Sequence, residues 1–222
     1  MIDASTWMPA AVDGLIQAFG PRLCFVGLQG SYRRGEATET SDIDLCVILD
    51  LLDAADFPRL RAVLDMLPEG EKAAGFVAAT EELAAWPRFE LFGFAQDMDA
   101  WHGELAPLLP PITQADITLG VRTAVAALCH EATQALLLAP RLKADAAASA
   151  RHSLAKGFLR ALQGAIYLRE GIFPRERAAV LRRATEEESA VLKEAESLPL
   201  PELAAACRDW SAARLQELPE QS

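Results

Sequence analysis

The chain has 222 residues, of which 51% are hydrophobic and 24% charged, a composition that fits globular proteins and excludes disordered and fibrous classes. Its net charge of -11 would repel a polyanion, which disfavours nucleic acid as a partner and would suit a cationic one. No segment reaches the roughly 20 apolar residues that cross a bilayer, and the N-terminus lacks a secretory pattern. We therefore expect a cytoplasmic protein with no membrane partner.

The first half of the chain predicts a mixed α and β domain. Apolar residues recur with a helical period over residues 3–19, and runs rich in strand-forming residues over 23–28 and 43–49 predict buried strands. The later elements alternate: a helix over 57–67, a strand over 75–79, a helix over 81–86 and a strand over 89–94.

The second half predicts helices only. Glycines become rarer after the proline-rich segment 107–111, which we interpret as a hinge between domains 1–110 and 111–222. The helix signals follow in order: a capping box at Thr113 and Asp116, a long helix over 146–170 ended by Gly171, a helix begun by Pro174, a capping box at Thr185 and Glu188, and a last helix introduced by Pro199 and Pro201. This pattern is typical of a helical bundle.

The four cysteines and three histidines are scattered through the sequence. No CxxC spacing is present, so a zinc site or a disulfide framework is not expected. We assign none of these residues a chemical role.

The segment 30–45 between the first two predicted strands carries the chemistry. Gly30 would let the backbone approach a phosphate, and Ser31 can offer its amide and hydroxyl to an anion. Asp42 and Asp44 are two residues apart, so on a strand they point to the same face and form a site for a hard cation such as Mg²⁺. The alternative interpretation is that Ser41 and Asp42 cap a turn and Asp44 is an ordinary charge at the end of a strand.

The sequence GSYRRGEATETSDIDL over residues 30–45 resembles the signature of nucleotidyltransferases of the polymerase β superfamily. The resemblance covers about residues 20–105 and implies an α+β nucleotidyltransferase fold, a small mixed sheet flanked by helices, followed here by an all-α helical bundle. It also implies a two-metal Mg²⁺ site and an NTP as co-substrate.

The resemblance implies roles for several residues of this segment. Gly30 and Ser31 would hold the β- and γ-phosphates, and Arg34 would support the loop or a phosphate. Ser41 is counted among the nucleotide-binding residues. Asp42 and Asp44 would bind the metals and take part in catalysis.

A third carboxylate is expected on a later strand of such a domain. Glu90 is the preferred candidate, as metal ligand and proton acceptor, because it opens the apolar run that predicts a strand over 89–94. Asp97 and Asp99 are alternatives, although they follow that strand and would more readily cap the segment that begins near residue 100.

The helical half resembles the companion domain of antibiotic nucleotidyltransferases and of small bacterial two-domain relatives. Lys156, Arg160, Gln163 and Tyr167 share one face of the long predicted helix, and Lys156 is proposed to reach the triphosphate. Gly157 and Gly164 lie on the same helix, which indicates that something approaches its backbone closely.

The sequence therefore predicts Mg²⁺-dependent transfer of a nucleoside monophosphate, with AMP from ATP as the expected donor, to a hydroxyl of a small-molecule acceptor. The alternatives are a protein-modifying or antitoxin-like nucleotidyltransferase, and a non-catalytic nucleotide sensor. Retention of both Asp42 and Asp44 disfavours the sensor.

Overall fold

The computed structural model describes residues 1–218 and divides into two compact units, Met1–Ile112 and a second unit that begins at Thr113. The first unit combines a sheet with helices and the second consists of helices, so the predicted α+β class is confirmed. The helices and strands of the first unit are, in chain order, α1 (Ala4–Phe19), β1 (Leu23–Leu28), α2 (Gly30–Arg34), β2 (Ile43–Leu49), α3 (Asp56–Leu64), β3 (Ala73–Ala79), α4 (Thr80–Ala85), α5 (Arg88–Gln96) and β4 (Asp99–His102).

The four strands form one mixed sheet in the order β3-β2-β1-β4. β1 is antiparallel to β2 and to β4, whereas β2 and β3 are parallel. The side chains of β2 are packed on both faces of the sheet. Ile43, Leu45, Val47 and Leu49 pack with α1, and Cys46 and Ile48 pack with Phe25 and Leu91 on the opposite face.

The predicted strand over residues 89–94 is wrong, because these residues lie in α5. Pro87 precedes the helix, and Leu91 is buried while Phe94 packs against the same core cluster one turn later. A short apolar run does not by itself distinguish a strand from a buried helix. The strand that does follow is β4, which the sequence analysis did not predict.

The second unit contains α6 (Gln114–Leu138), α7 (Ala144–Glu170), α8 (Arg177–Arg183), α9 (Glu186–Glu194) and α10 (Leu200–Glu217). Thr113 and Thr185 each form the predicted capping box, with Asp116 and Glu188. Gly171 ends α7 in the left-handed conformation. Pro174 does not begin a helix, since α8 starts at Arg177.

The core of the second unit lies between α6, α7 and α10. Val125, Leu154, Phe158 and Leu203 are fully buried there, and the Phe158 ring meets the Trp210 ring edge to face at 5.1 Å between centroids. Within residues 1–218, no helix has the length and apolar character needed to span a bilayer.

Candidate functional site

The two aspartates of the motif lie at the start of the central strand. Ile43 is fully buried on the α1 face. Asp44 alternates with it and shares the face of Cys46, as the strand period requires. Asp42 immediately precedes β2 and is exposed, whereas Asp44 is half-buried. Asp42 precedes the strand, so the expectation that its side chain lies on the same side as that of Asp44 stays a prediction.

The turn after β1 lies directly against Asp44. The Gln29 amide donates to the Asp44 carbonyl at 2.9 Å, and Gly30 adopts a φ of 69°, in the region that favours glycine. A Cβ atom on Gly30 would lie 1.8 Å from Oδ2 of Asp44. The absence of a side chain at Gly30 therefore makes room for the carboxylate, and the predicted approach to a phosphate would have to share this space.

The two serines of the motif have different surroundings. Ser31 follows Gly30 in the first turn of α2 and is half-buried, and its carbonyl accepts from the Glu36 amide at 2.9 Å. Ser41 closes the loop before β2, where its Oγ accepts from the Thr38 amide at 2.9 Å. This bond corresponds to a turn cap next to Asp42, and nucleotide binding by Ser41 stays a prediction.

Two arginines of α2 converge on Asp97, which follows α5. Nε of Arg33 donates to Oδ1 of Asp97 at 2.9 Å, and Nη1 of Arg34 donates to Oδ2 at 3.0 Å. Arg34 also donates from Nε to Glu36 at 3.0 Å. Burial works to lower the pKa of the Arg34 guanidinium, but Glu36 and Asp97 outweigh it and the pKa is raised. These contacts are those of a residue that supports the loop.

Sequence analysis named Asp97 only as an alternative carboxylate and gave Arg33 no role. The ion pair joins positions more than sixty residues apart, so no local pattern indicates it. A possible signal is the pair of adjacent arginines in a chain this acidic, since buried guanidinium groups require carboxylate partners.

The structure does not bring Glu90 together with Asp42 and Asp44. Glu90 lies in the first turn of α5, and its Oε2 accepts from Nε1 of Trp86 at 2.8 Å on the surface. In residues 1–218, no three Asp, Glu, His or Cys side chains are grouped so that they could hold a metal ion. The reason is the helical conformation of α5, which replaces the strand from which Glu90 was expected to project.

The strands beside β1 and β2 also differ from the expected pattern. β3 pairs Ala74 with Asp44, so a methyl group occupies the neighbouring position. β4 begins with Asp99, which is in register with Leu28 of β1. Nη1 of Arg33 lies 3.9 Å from Oδ1 of Asp99.

Asp42 and Asp44 nevertheless fit a magnesium ion. Mg²⁺ prefers oxygen ligands and is usually bound by one or two carboxylates together with substrate phosphates. The two carboxylates at the start of β2 supply that number of protein ligands.

The polar face predicted for α7 is only partly present. Lys156 and Arg160 are exposed, but Gln163 is buried and its Nε2 donates to the carbonyl of Pro174 at 2.9 Å. Gln163 therefore fixes the segment between α7 and α8. Contact of Lys156 with a triphosphate stays a prediction.

Helix packing explains the glycines of α7. A Cβ atom on Gly164 would lie 2.7 Å from Cγ2 of Val121, and one on Gly157 would lie 3.4 Å from Cδ1 of Leu128. Both neighbours belong to α6. The close approach inferred from the sequence is present, and the approaching group is a neighbouring helix.

An open groove of about 470 Å³ lies on the second unit beside α8. Arg175, Arg182 and Arg183 are among its lining residues, together with Glu176. Arg183 also donates to Glu170 at 2.6 Å.

Comparison with known proteins finds a family to which part of the first unit is similar. Residues 19–89 match the family model described as the nucleotidyltransferase domain. This segment contains β1, the Gly30 turn, Asp42 and Asp44. No curated protein sequence matches the chain.

Solved structures extend the likeness beyond that segment. Spectinomycin adenyltransferase AAD(9) from Enterococcus faecialis, solved with ATP and spectinomycin, aligns over 96% of this chain and 100% of its own with a TM-score of 0.57 and 13% identity. At this identity the likeness shows the fold. A nucleotidyltransferase-like protein from Exiguobacterium sibiricum aligns over 95% of this chain and 74% of its own, with a TM-score of 0.36 and 12% identity.

Proposed function

We propose, on the premise that residues 19–89 match the nucleotidyltransferase domain family, that the chain transfers a nucleoside monophosphate to a hydroxyl group of a small-molecule acceptor. ATP is the proposed donor, so the transferred group is AMP. Pyrophosphate is the second product.

One observation carries this proposal. The Gly30 turn lies against the carboxylate of Asp44, with Asp42 one strand period away. The amide and hydroxyl of Ser31, the next residue of this turn, can donate to phosphate oxygens, so phosphate donors lie close to carboxylates that can bind Mg²⁺. A triphosphate chelated to Mg²⁺ requires both kinds of group close together.

Each residue has a separate task in the proposed reaction. Gly30 and Ser31 bind the β- and γ-phosphates, and Arg34 supports their turn through Asp97 and Glu36. Asp42 and Asp44 hold magnesium, which when bound neutralises phosphate charge and orients the triphosphate. Ser41 closes the loop that presents Asp42.

The transfer is an in-line displacement at the α-phosphorus. The acceptor oxygen forms a bond to that phosphorus while the bond to the bridging oxygen of the β-phosphate breaks, and pyrophosphate leaves with the electron pair. The hydroxyl proton passes to a base as the new bond forms. Holding both reactants in line accounts for most of what the protein must contribute.

The acceptor class rests on two further points. The net charge of -11 disfavours a polynucleotide and suits a cationic molecule. The Enterococcus faecialis enzyme, whose fold this chain shares, was solved with ATP and spectinomycin. Both points support a cationic small molecule as acceptor.

A non-catalytic nucleotide sensor is the second candidate, and one observation favours it. The third carboxylate was expected at Glu90 on a strand, but Glu90 lies in α5 and is not grouped with Asp42 and Asp44. A sensor would bind MgATP and release it unchanged.

Two measurements on the whole chain test the proposal. Calorimetric titration with ATP, with and without Mg²⁺, should show binding that depends on the metal. Incubation with labelled ATP, Mg²⁺ and a panel of cationic small molecules should then give an acceptor heavier by one AMP in mass spectrometry. Binding without any labelled product across small molecules and lysate proteins would favour the sensor, label on a protein would favour the protein modifier, and absence of MgATP binding would reject the proposal.

A further inference from the structure

The carboxylate of Asp97 is surrounded by donors from the turn that begins at Gly30. The Gly30 amide donates to Oδ2 at 3.3 Å, Nε of Arg33 to Oδ1 at 2.9 Å, and Nη1 of Arg34 to Oδ2 at 3.0 Å. Both oxygens of Asp97 are therefore engaged. One side chain ties together the beginning and the end of α2.

Of the three groups that donate to Asp97, the buried guanidinium of Arg33 most needs a carboxylate partner. The Arg33 side chain is only 3% exposed, and its Nη2 lies 2.9 Å from Oδ1 of Asp97. A guanidinium this buried needs a carboxylate, because desolvation of an unpaired charge is costly. Asp99 is further away, at 3.9 Å from Nη1.

A second bond ties the same turn to α5. Nε2 of Gln29 donates to the carbonyl of Phe94 at 3.0 Å, while the Gln29 amide donates to the carbonyl of Asp44 at 2.9 Å. The turn is thus held between α5 on one side and β2 on the other. Since Gly30 touches the Asp44 carboxylate, any shift of the turn changes the surroundings of Asp44.

We propose that Asp97 is a positioning residue that holds the turn from Gly30 to Arg34 in its nucleotide-binding geometry before the nucleotide arrives. The inference rests on the proposed function and adds a residue outside the signature motif. Asp97 acts through Gly30 and the two arginines, and its oxygens are occupied by their donors. It is therefore distinct from a third metal ligand.

This role predicts a particular kinetic pattern. When Asp97 is neutralised, the ligand-free turn loses its fixed geometry, and bound MgATP has to restore it. The free energy needed to order the turn then weakens the binding of MgATP. KM and Kd for MgATP should rise by about tenfold, whereas kcat at saturating MgATP should stay within about threefold.

Asp97→Asn is the direct test, with Asp65→Asn as the control. Asp65 is an exposed carboxylate after α3 and lies outside the turn from Gly30 to Arg34. In the ligand-free chain, the Gly30 amide of Asp97→Asn should exchange with solvent about tenfold faster than in the parent. Asp65→Asn should leave exchange, KM and Kd within about twofold.

A second variant keeps the test decisive if Asp97→Asn folds poorly. Arg33→Gln combined with Asp97→Asn removes the buried guanidinium together with its half-buried carboxylate partner, which is better tolerated than leaving the buried charge unpaired. The double variant should fold and still show faster exchange at Gly30 and weaker MgATP binding. Unchanged exchange and affinity in the folded double variant would overturn the proposal, as would a collapse of kcat with an unchanged Kd.

The test separates this inference from the proposed function. If the parent chain binds no MgATP, the proposed function fails and the positioning role fails with it, whereas the exchange measurement still reports whether Asp97 fixes the turn. If the parent binds MgATP and Asp97→Asn binds it equally well, only the positioning role fails.

Discussion

Gly30 and Asp44 are in such close contact that a Cβ atom on Gly30 would lie 1.8 Å from the carboxylate oxygen Oδ2. The contact joins the two halves of the signature, because Gly30 opens α2 and Asp44 lies in β2. Glycine is required at this position for two reasons, a φ of 69° and the adjacent carboxylate. Substitutions can separate the two reasons.

Gly30→Ala is expected to abolish MgATP binding. The added methyl group would force the Asp44 carboxylate or the turn to move, and the left-handed backbone conformation adds strain of about 1–3 kcal/mol. Gly35→Ala is the control, because Gly35 has the same φ of 69° but no atom within 4 Å of the added methyl group. Calorimetry should show binding lost in Gly30→Ala and kept in Gly35→Ala, while equal losses in both would show that the contact with Asp44 is unimportant.

Asp44→Asn should weaken Mg²⁺-dependent ATP binding by at least about tenfold, since even outer-shell changes at metal sites cost that much. Asp42→Asn should act in the same direction. Asp65→Asn, at an exposed carboxylate after α3, is the control and should bind normally. Thermal melts of the metal-free chain should show that the Asp42 and Asp44 variants stay folded. Full MgATP affinity in either variant would exclude a metal-binding role for that residue.

Local patterns predicted the part of the site that lies within one segment. Leu23–Leu28 and Ile43–Leu49 were both predicted with the bounds that the structure has, because each is a buried run between turn residues. The strand period also predicts a common side for Asp42 and Asp44, and this stays a prediction because Asp42 precedes β2. The Asp97 contacts were not predictable, because they depend on how α5 packs and not on neighbouring residues.

The wrong predictions also concern features that depend on how the helices pack. Leu91 and Phe94 are one helical turn apart, but in so short a run the spacing also fits a buried strand. Gly157 and Gly164 correctly indicated a close approach to α7, but a sequence does not show whether a ligand or a helix makes it. Gln163 likewise points inward because the carbonyl of Pro174 needs a donor.

Glu90→Gln is expected to leave turnover within about twofold of the parent, because Glu90 is exposed in α5 and is not grouped with Asp42 and Asp44. Glutamine keeps an oxygen that can accept from Nε1 of Trp86, which lies 2.8 Å from Glu90 in the parent chain. Steady-state kinetics with saturating MgATP is the measurement. Loss of kcat with an unchanged Kd for MgATP would restore Glu90 as the proton acceptor and would require α5 to move.

The ion pair of Asp56 and Arg22 should make the stability of the first unit decrease at low pH. Both oxygens of Asp56 accept from Arg22, at 2.9 and 2.8 Å, and this pairing lowers the pKa of Asp56 from 3.8 to about 2. Because the pKa of Asp56 is lower in the folded chain than in the unfolded chain, the stabilisation by this ion pair is present above about pH 4 and is lost as the pH falls to about 2. The Tm of the parent should exceed that of Asp56→Asn at pH 7, and the difference should shrink between pH 4 and pH 2. A difference independent of pH in that range would show that the charge of Asp56 is not what stabilises the fold, and Asp65→Asn should show little difference at any pH.

The two glycines of α7 offer a matched pair of substitutions. Both lie inside the helix, where alanine is favoured over glycine by about 1 kcal/mol. At Gly157 the added methyl group would lie 3.4 Å from the flexible end of Leu128, so Gly157→Ala should stabilise the second unit by up to about 1 kcal/mol.

Gly164→Ala should have the opposite effect. Its methyl group would lie 2.7 and 3.3 Å from the two methyl groups of Val121. Val121 is buried and β-branched, so it cannot rotate away without strain. Overpacking of this kind costs about 1–3 kcal/mol, which offsets or exceeds the gain in helix propensity. Denaturant unfolding should therefore show that Gly157→Ala is more stable than Gly164→Ala. When Val121 is first shortened by Val121→Ala, adding Gly164→Ala should destabilise the chain less than Gly164→Ala destabilises the parent. Equal stabilities for the two glycine variants would mean that α6 does not approach α7 as closely at Gly164 as the structure shows.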